Sequence, residues 1–137
     1  MASLSEGARV LITGASGFTG RYVHSALAAS GYEPIDAEHA GIRFDLKDRE
    51  SIAAVLRETA PQYLIHLAAV SFVAHDDPGE FYAVNTIGAT HLLDAVVASG
   101  LSLRRLVVAS SANVYGNATV EPITETTAAA PANAKSP

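Results

Sequence analysis

The sequence has no cysteine. Disulfides and thiolate metal sites are therefore excluded, and the composition suits a reducing compartment. It also lacks any apolar run of the length that crosses a bilayer. The first residues, Met1 to Gly7, are short and polar, without the apolar stretch of a signal peptide. The expectation is a cytoplasmic protein with no membrane partner. Positive charge is scarce: nine Lys and Arg face fourteen Asp and Glu, for a net charge of −5. That balance argues against a nucleic-acid partner. Lysine itself occurs only at Lys47 and Lys135.

What is present is an ordinary globular composition, 49% hydrophobic and 17% charged over 137 residues, enough for one domain with a buried core. Arg9-Val-Leu-Ile-Thr13 is a short apolar run that ends in glycines and reads as a buried strand. The stretch Gly14-Ala-Ser-Gly-Phe-Thr-Gly20 follows at once. Tyr22, Val23, Ala26 and Leu27 then recur at helical spacing until Gly31 stops the helix. Glu33 to Ala37 reads as a second strand, which Pro34 confines to an edge or a short piece. Ile42 to Phe44 reads as a third.

Asp48 caps a helix whose apolar face is Ile52, Val55 and Leu56, and Pro61 ends it. Tyr63 to Leu67 is the fourth strand. Pro78 opens a long helix, roughly Gly79 to Ser99, that Gly100 closes. Leu106 to Ala109 is the fifth strand, and the chain from Ala118 onward is loop-like. Alternating strands and helices predict an α/β fold: a Rossmann-like, doubly wound parallel sheet of about five strands in the order 3-2-1-4-5. Ligands of such sheets bind outside the C-terminal ends of the strands.

Four groups of residues at those ends can carry chemistry. Gly14, Gly17 and Gly20 form a Gly-x-x-Gly-x-x-Gly turn between strand and helix. A dinucleotide pyrophosphate needs backbone N–H donors and the positive end of a helix dipole, with no side chain in the way. The plainer reading is a strand-to-helix turn that happens to hold three glycines. Asp45-Leu46 can meet an adenine amino group, or can simply lead a helix. Leu67-Ala68-Ala69 offers small residues for a cofactor to cross, or core packing. Ser110 and Ser111, with Tyr115, put hydroxyls at the tip of the fifth strand, or begin a turn over a packed tyrosine. His75-Asp76-Asp77 has the composition of a metal cluster, but it precedes a helix start, where carboxylates favour the dipole. It is read as that, with no metal site. His66 inside a strand is read as a packed histidine.

Thr-Gly-x-x-Gly-Phe-x-Gly, Asp-Leu, His-Leu-Ala-Ala, Val-Asn-Thr-x-Gly and Ser-Ser-x-x-Val-Tyr-Gly occur here in that order. The set resembles the extended short-chain dehydrogenases, the NAD-dependent epimerase/dehydratase group that acts on nucleotide sugars. The resemblance runs from about Arg9 to Pro137. It implies that Gly14, Ser16, Gly17, Phe18, Thr19 and Gly20 hold the pyrophosphate, and that Asp45 and Leu46 meet the adenine. Leu67, Ala68 and Ala69, with Ala109 and Ser110, would line the ribose and nicotinamide path. Asn85 matches the family's structural asparagine beside that path. Ser111 matches the serine or threonine of the catalytic triad. The cofactor is NAD or NADP: Asp36 could bind ribose hydroxyls, whereas Arg43 could meet a 2′-phosphate. The implied partners are a nucleotide-sugar substrate and a second copy, paired through the long helix.

Two departures from the family's pattern matter. The family's general acid/base is a tyrosine with a lysine four positions later. None of Tyr22, Tyr32, Tyr63, Tyr82 and Tyr115 has one. The family's tyrosine often follows Ser-Pro, and the sequence closes on Ser136-Pro137. The expectation is an incomplete dinucleotide-binding domain over 1–137, cut before the later strands and the substrate domain and inactive alone. The alternative is a non-catalytic NAD(P)-binding or regulatory module. The second departure concerns Ala112 and Asn113, which stand where 4,6-dehydratases carry acidic residues. A nucleotide-sugar reductase or epimerase, moving hydride at C4 of the hexose, is what remains. The short passage from Ile35 to Asp45, with Pro122-Ile-Thr-Glu125, is similar to GDP-6-deoxy-4-keto-mannose reductases.

Overall fold

The computed structural model describes residues 7–70, 78–117, 119 and 121–131. Strand β1 (Arg9–Thr13) leads through the glycine turn into helix α1 (Phe18–Ala29). Strand β2 (Glu33–Asp36) ends in a 3₁₀ turn over Ala37–His39. Helix α2 (Arg49–Thr59) precedes strand β3 (Tyr63–His66). A long helical rod follows: α3 (Pro78–Tyr82), a π-helical stretch (Ala83–Gly88) and α4 (Ala89–Ser99). Strand β4 (Arg105–Val108) and a 3₁₀ turn over Ala112–Tyr115 complete the elements. All pairings are parallel, in the order β2-β1-β3-β4. The fold is α/β and Rossmann-like, as expected.

The punctuation follows local chemistry. Asp48 caps α2 by accepting from Glu50 N and Ser51 N. Gly100 ends α4 in the left-handed conformation. Alternate side chains of β1 go to opposite faces, as the strand period demands. Val10 and Ile12 pack with Val23 and Leu27 of α1. Leu11 packs with Ile52, Val55 and Leu56 of α2, Leu64 of β3 and Leu92 of α4.

One expectation fails. Ile42 to Phe44 forms no strand, so the sheet has four strands rather than five. The remaining order is the predicted one without its third member. The reason lies in β2. Glu33 N donates inward to Ala8 O, so the next residue, Pro34, turns its missing N–H to the outer edge. That edge is one donor short for a further parallel partner. Ile42 and Phe44 instead pack as half-buried side chains against the α2/α4 core. Their apolar alternation came from burial, not from a ladder.

Apolar surface remains open on the rod, at Ile87, Leu93 and Val97, and on β4, where Val107 and Val108 are 45% and 46% exposed. Among the described residues no helix is long and apolar enough to cross a membrane.

Leu11 is fully buried at the centre of the larger cluster. Leu11→Ala should lower the unfolding free energy by about 2–5 kcal/mol in urea titrations. A loss below about 1 kcal/mol would mean that the sheet does not depend on this contact.

Candidate functional site

Parallel strands end on the same side of a sheet, and the register sets their tips side by side. Thr13 lies opposite His66, and His66 opposite Val108. Gly14, Leu67 and Ala109 therefore follow one another across the strand ends, with the tip of β2 on the far side of Gly14.

The first two tips are tied by a buried network. The Thr13 hydroxyl accepts from Ala68 N at 3.2 Å and lies 2.6 Å from His66 Nδ1. The hydroxyl has one proton and two lone pairs, so it can donate to Nδ1 or accept from it while it accepts from Ala68 N. A neutral imidazole fits this buried pair in either tautomer. Burial pushes the His66 pKa down, in agreement. His66 is the packed, satisfied histidine the sequence led us to expect. A methyl group on Gly14, whose φ is +75°, would sit 2.7 Å from Ala68 N. The turn and the β3 tip touch backbone to backbone there.

A Cβ on Gly20 would overlap Gly14 O and the Ala15 backbone, so α1 lies directly against the turn. Ser16, Gly17, Phe18 and Thr19 are exposed at its start. No side chain caps this helix, and its first turn carries no acid. Helix α2 in the same chain has both, in Asp48 and Glu50. The opening amides of α1 are left for an anion.

Leu67 and Ala68 are half-buried and Ala69 is exposed. The next residue, Val70, is gripped at both backbone atoms by Asn85. Its Oδ1 accepts from Val70 N at 2.8 Å and its Nδ2 donates to Val70 O at 2.9 Å. Asn85 sits in the π-helical stretch, whose wider turn marks a departure from the helix on either side. The side chain is a clamp on the loop.

Asp45 and Leu46 lie apart from this line, leading α2. Asp45 accepts from Lys47 N at 2.9 Å and approaches Arg43 at 3.4 Å. Leu46 is buried in the α2/α4 core. Ser111 heads the last 3₁₀ turn, its Oγ accepting from Asn113 N at 3.2 Å. That bond does not use the hydroxyl proton. Tyr115 is half-buried, while Ala109 and Ser110 are exposed. His75-Asp76-Asp77 lies outside the described residues. Among the described residues no cluster of His, Asp and Glu is placed to hold a metal.

Glu38 is the residue that the sequence did not single out. Its Oε1 accepts from Gly14 N at 2.7 Å, and its Oε2 is buried with no hydrogen-bond partner. Burial raises its pKa, the neighbouring Asp36 carboxyl raises it further, and the Gly14 amide opposes both. Burial also pushes Asp36 upward, but hydrogen bonds from Glu38 and His39 outweigh that and leave it lowered. No periodicity marks Glu38. Only its two-residue offset from the end of β2 could have pointed to it.

An uncapped glycine turn after the first strand of a parallel sheet is the architecture of dinucleotide-binding proteins. The chain belongs to the NAD dependent epimerase/dehydratase family, whose sequence pattern matches residues 10–137. It is 31% identical over 125 residues to GDP-6-deoxy-D-talose 4-dehydrogenase of Aggregatibacter actinomycetemcomitans, covering 91% of this chain and 42% of that protein. RMD from Pseudomonas aeruginosa, solved with NADPH, aligns with a TM-score of 0.78 at 32% identity, over 93% of this chain and 43% of that one. UDP-glucose-4-epimerase from Stenotrophomonas maltophila, solved with NAD and formylated UDP-arabinopyranose, aligns with a TM-score of 0.76 at 28% identity, over 90% of this chain and 43% of that one. The chain thus spans less than half the length of these relatives. A dinucleotide fits the residues present: the Gly14 and Gly20 backbones leave no room for side chains, α1 is uncapped, and one buried carboxylate oxygen lacks a donor.

His66 gives a pH signature. Its folded pKa lies below the ordinary 6.5, so the unfolded chain binds the proton first on acidification. Its contribution is complete above pH 6.5 and is lost as pH falls from there through the folded pKa. Glu38 runs the other way, with stability lost as pH rises through its elevated pKa. The melting temperature of His66→Gln should therefore fall less than that of the wild type between about pH 7 and pH 5. Parallel curves would show that His66 is not held neutral by the fold.

Proposed function

We propose that the protein carrying this chain moves hydride between a nicotinamide cofactor and C4 of a nucleotide-linked hexose, as a reductase or an epimerase. The observation that carries this reading is the alignment of strand tips. The glycine turn, the small residues after β3 and the serines after β4 stand on one edge of the sheet in register. The nicotinamide supplies or takes up the hydride. The chain's residues do the rest.

In this reading the amides from Gly14 to Gly20, with Ser16, Gly17, Phe18 and Thr19, hold the pyrophosphate. Asp45 and Leu46 border the adenine. Leu67, Ala68 and Ala69 leave space for ribose and nicotinamide, held in place by the Asn85 clamp on Val70, and Ala109 and Ser110 face the same space. Ser111 donates its hydroxyl proton to the sugar oxygen at C4 and so orients the carbon for transfer. The proton step needs a group of matched pKa. No tyrosine of this sequence has the lysine four positions on. We assign that pair to the rest of a protein of the relatives' length. Ala112 and Asn113 carry no carboxyl for removing water, which favours reduction or epimerisation over dehydration. The exposed Ile87, Leu93 and Val97 suit pairing with a second copy along the rod.

At its natural length the protein should turn over at least one nucleotide-linked hexose or 4-keto hexose, followed by nicotinamide absorbance. Ser111→Ala should lower kcat by about 10²-fold or more with little change in cofactor Kd. Tight cofactor binding without turnover on any nucleotide sugar would replace this reading with a non-catalytic cofactor-sensing module, which the missing tyrosine–lysine pair also permits.

A further inference from the structure

The loop that leads α2 is held from two sides. From α2, the buried Ser51 hydroxyl accepts from Asp45 N at 3.0 Å and has Asp45 O and Asp48 O within reach of its proton. From the rod, His91 Nδ1 lies 3.2 Å from Leu46 O. A carbonyl oxygen can only accept, so Nδ1 carries the proton of this bond. Rod and loop are pressed together there: a methyl group on Gly88 would sit 2.9 Å from Leu46 Cβ. Lys47–Glu80 at 3.4 Å and Arg49–Asp94 at 3.1 Å also join this corner to the rod, but both are exposed ion pairs, which contribute little in water.

The Leu46 carbonyl belongs to the same planar peptide unit as the Lys47 N–H. That N–H donates to Asp45 Oδ1 at 2.9 Å. His91 thus fixes one end of a rigid plate whose other end holds the Asp45 carboxylate. Asp45 Oδ2 meets Arg43 at 3.4 Å, a long contact from a side chain that is 79% exposed, and stays open to a better donor. We propose that His91 is a positioning residue for base recognition: through the Leu46–Lys47 peptide it aims the Asp45 carboxylate at the adenine amino group. The inference rests on the reading in which Asp45 and Leu46 border the adenine. Hydrogen bonds linked in a chain polarise and strengthen one another. Without the imidazole, Leu46 O loses its donor, the peptide plane is free to turn, and the carboxylate turns with it.

The test is equilibrium binding, read by nicotinamide fluorescence, with the protein at its natural length. NADH and NADPH are each compared with their hypoxanthine analogues, which lack the adenine amino group. The wild type should bind its better adenine dinucleotide about tenfold more tightly than the matching analogue. His91→Leu keeps the bulk and removes the donor, and should cut that preference to about twofold or less. His91→Ala, which cannot overpack the corner, should do the same. His91→Asn, whose Nδ2 stands in the place of Nδ1, should retain the preference. A donorless variant that loses the same factor with both bases has only a structural defect and overturns the proposal. So does one that loses nothing, or a His91→Asn that behaves like His91→Leu. A wild type that does not tell the two bases apart removes the adenine reading of Asp45, and this inference with it, while the glycine-turn site stands. Binding of no dinucleotide removes the cofactor site altogether, together with the inference.

Discussion

The hydroxyl of Thr13 holds the first and third strands together at the point where their ladder ends. The last ladder bond runs from Leu67 N to Thr13 O at 3.0 Å. One residue further on, the backbone must leave the sheet on both sides: into the glycine turn after β1 and into the Leu67–Ala69 loop after β3. The hydroxyl takes over there, satisfying Ala68 N and His66 Nδ1 together. Thr13 and His66 are buried and Ala68 is half-buried, so removing the hydroxyl alone would leave the imidazole without its partner in a region with little water. This tie makes the backbone contact between Gly14 and Ala68 a fixed feature rather than an average of many approaches. Glycine at 14 follows from it, for reasons of both φ and space.

From that fixed point the site is built outward by exclusion. Gly20 brings α1 down onto the turn, and the lack of a cap leaves its first amides to a ligand. A side-chain cap contributes about 0.5–2 kcal/mol to a helix. The chain takes that contribution at α2, through Asp48, and forgoes it at α1. The same pattern recurs at Glu38, where a buried carboxylate oxygen is left without a donor. Both features lower the stability of the free protein, and a ligand that supplied partners to either would offset that loss. Binding should then be linked to folding more strongly than the contact area alone implies.

Much of this was legible in the residues. The apolar run before Gly14, the spacing of the three glycines, the Asp48 cap and the Gly100 stop each carry their own local physics, and the structure follows them. What could not be read was set by neighbours distant in sequence. Ile42 and Phe44 alternate as a strand does, but strand formation needs a partner edge, and the outer edge of β2 is one donor short at Pro34. Asn85 was recognised by resemblance. Its grip on Val70, fifteen positions back, is a tertiary fact. Asp36 occupied the expected place at the end of β2, yet it is Glu38 that reaches the glycine turn, because the 3₁₀ turn rotates it inward.

That last displacement bears on how such sites are read generally. A rule that assigns ribose recognition to the acid at the end of the second strand assumes that the strand runs straight into the crevice. Here β2 stops after four residues and tightens into a 3₁₀ turn, and both oxygens of Asp36 engage that turn. Its carboxylate holds the Glu38 amide, and the Glu38 carboxylate holds the Gly14 amide. The two acids are thus linked in series: the first fixes where the second stands, and the second braces the glycine turn. Their opposite pKa shifts fit this arrangement. The acid that caps the turn is favoured as a carboxylate, while the one pressed against the glycine turn resists ionisation because it is buried beside Asp36.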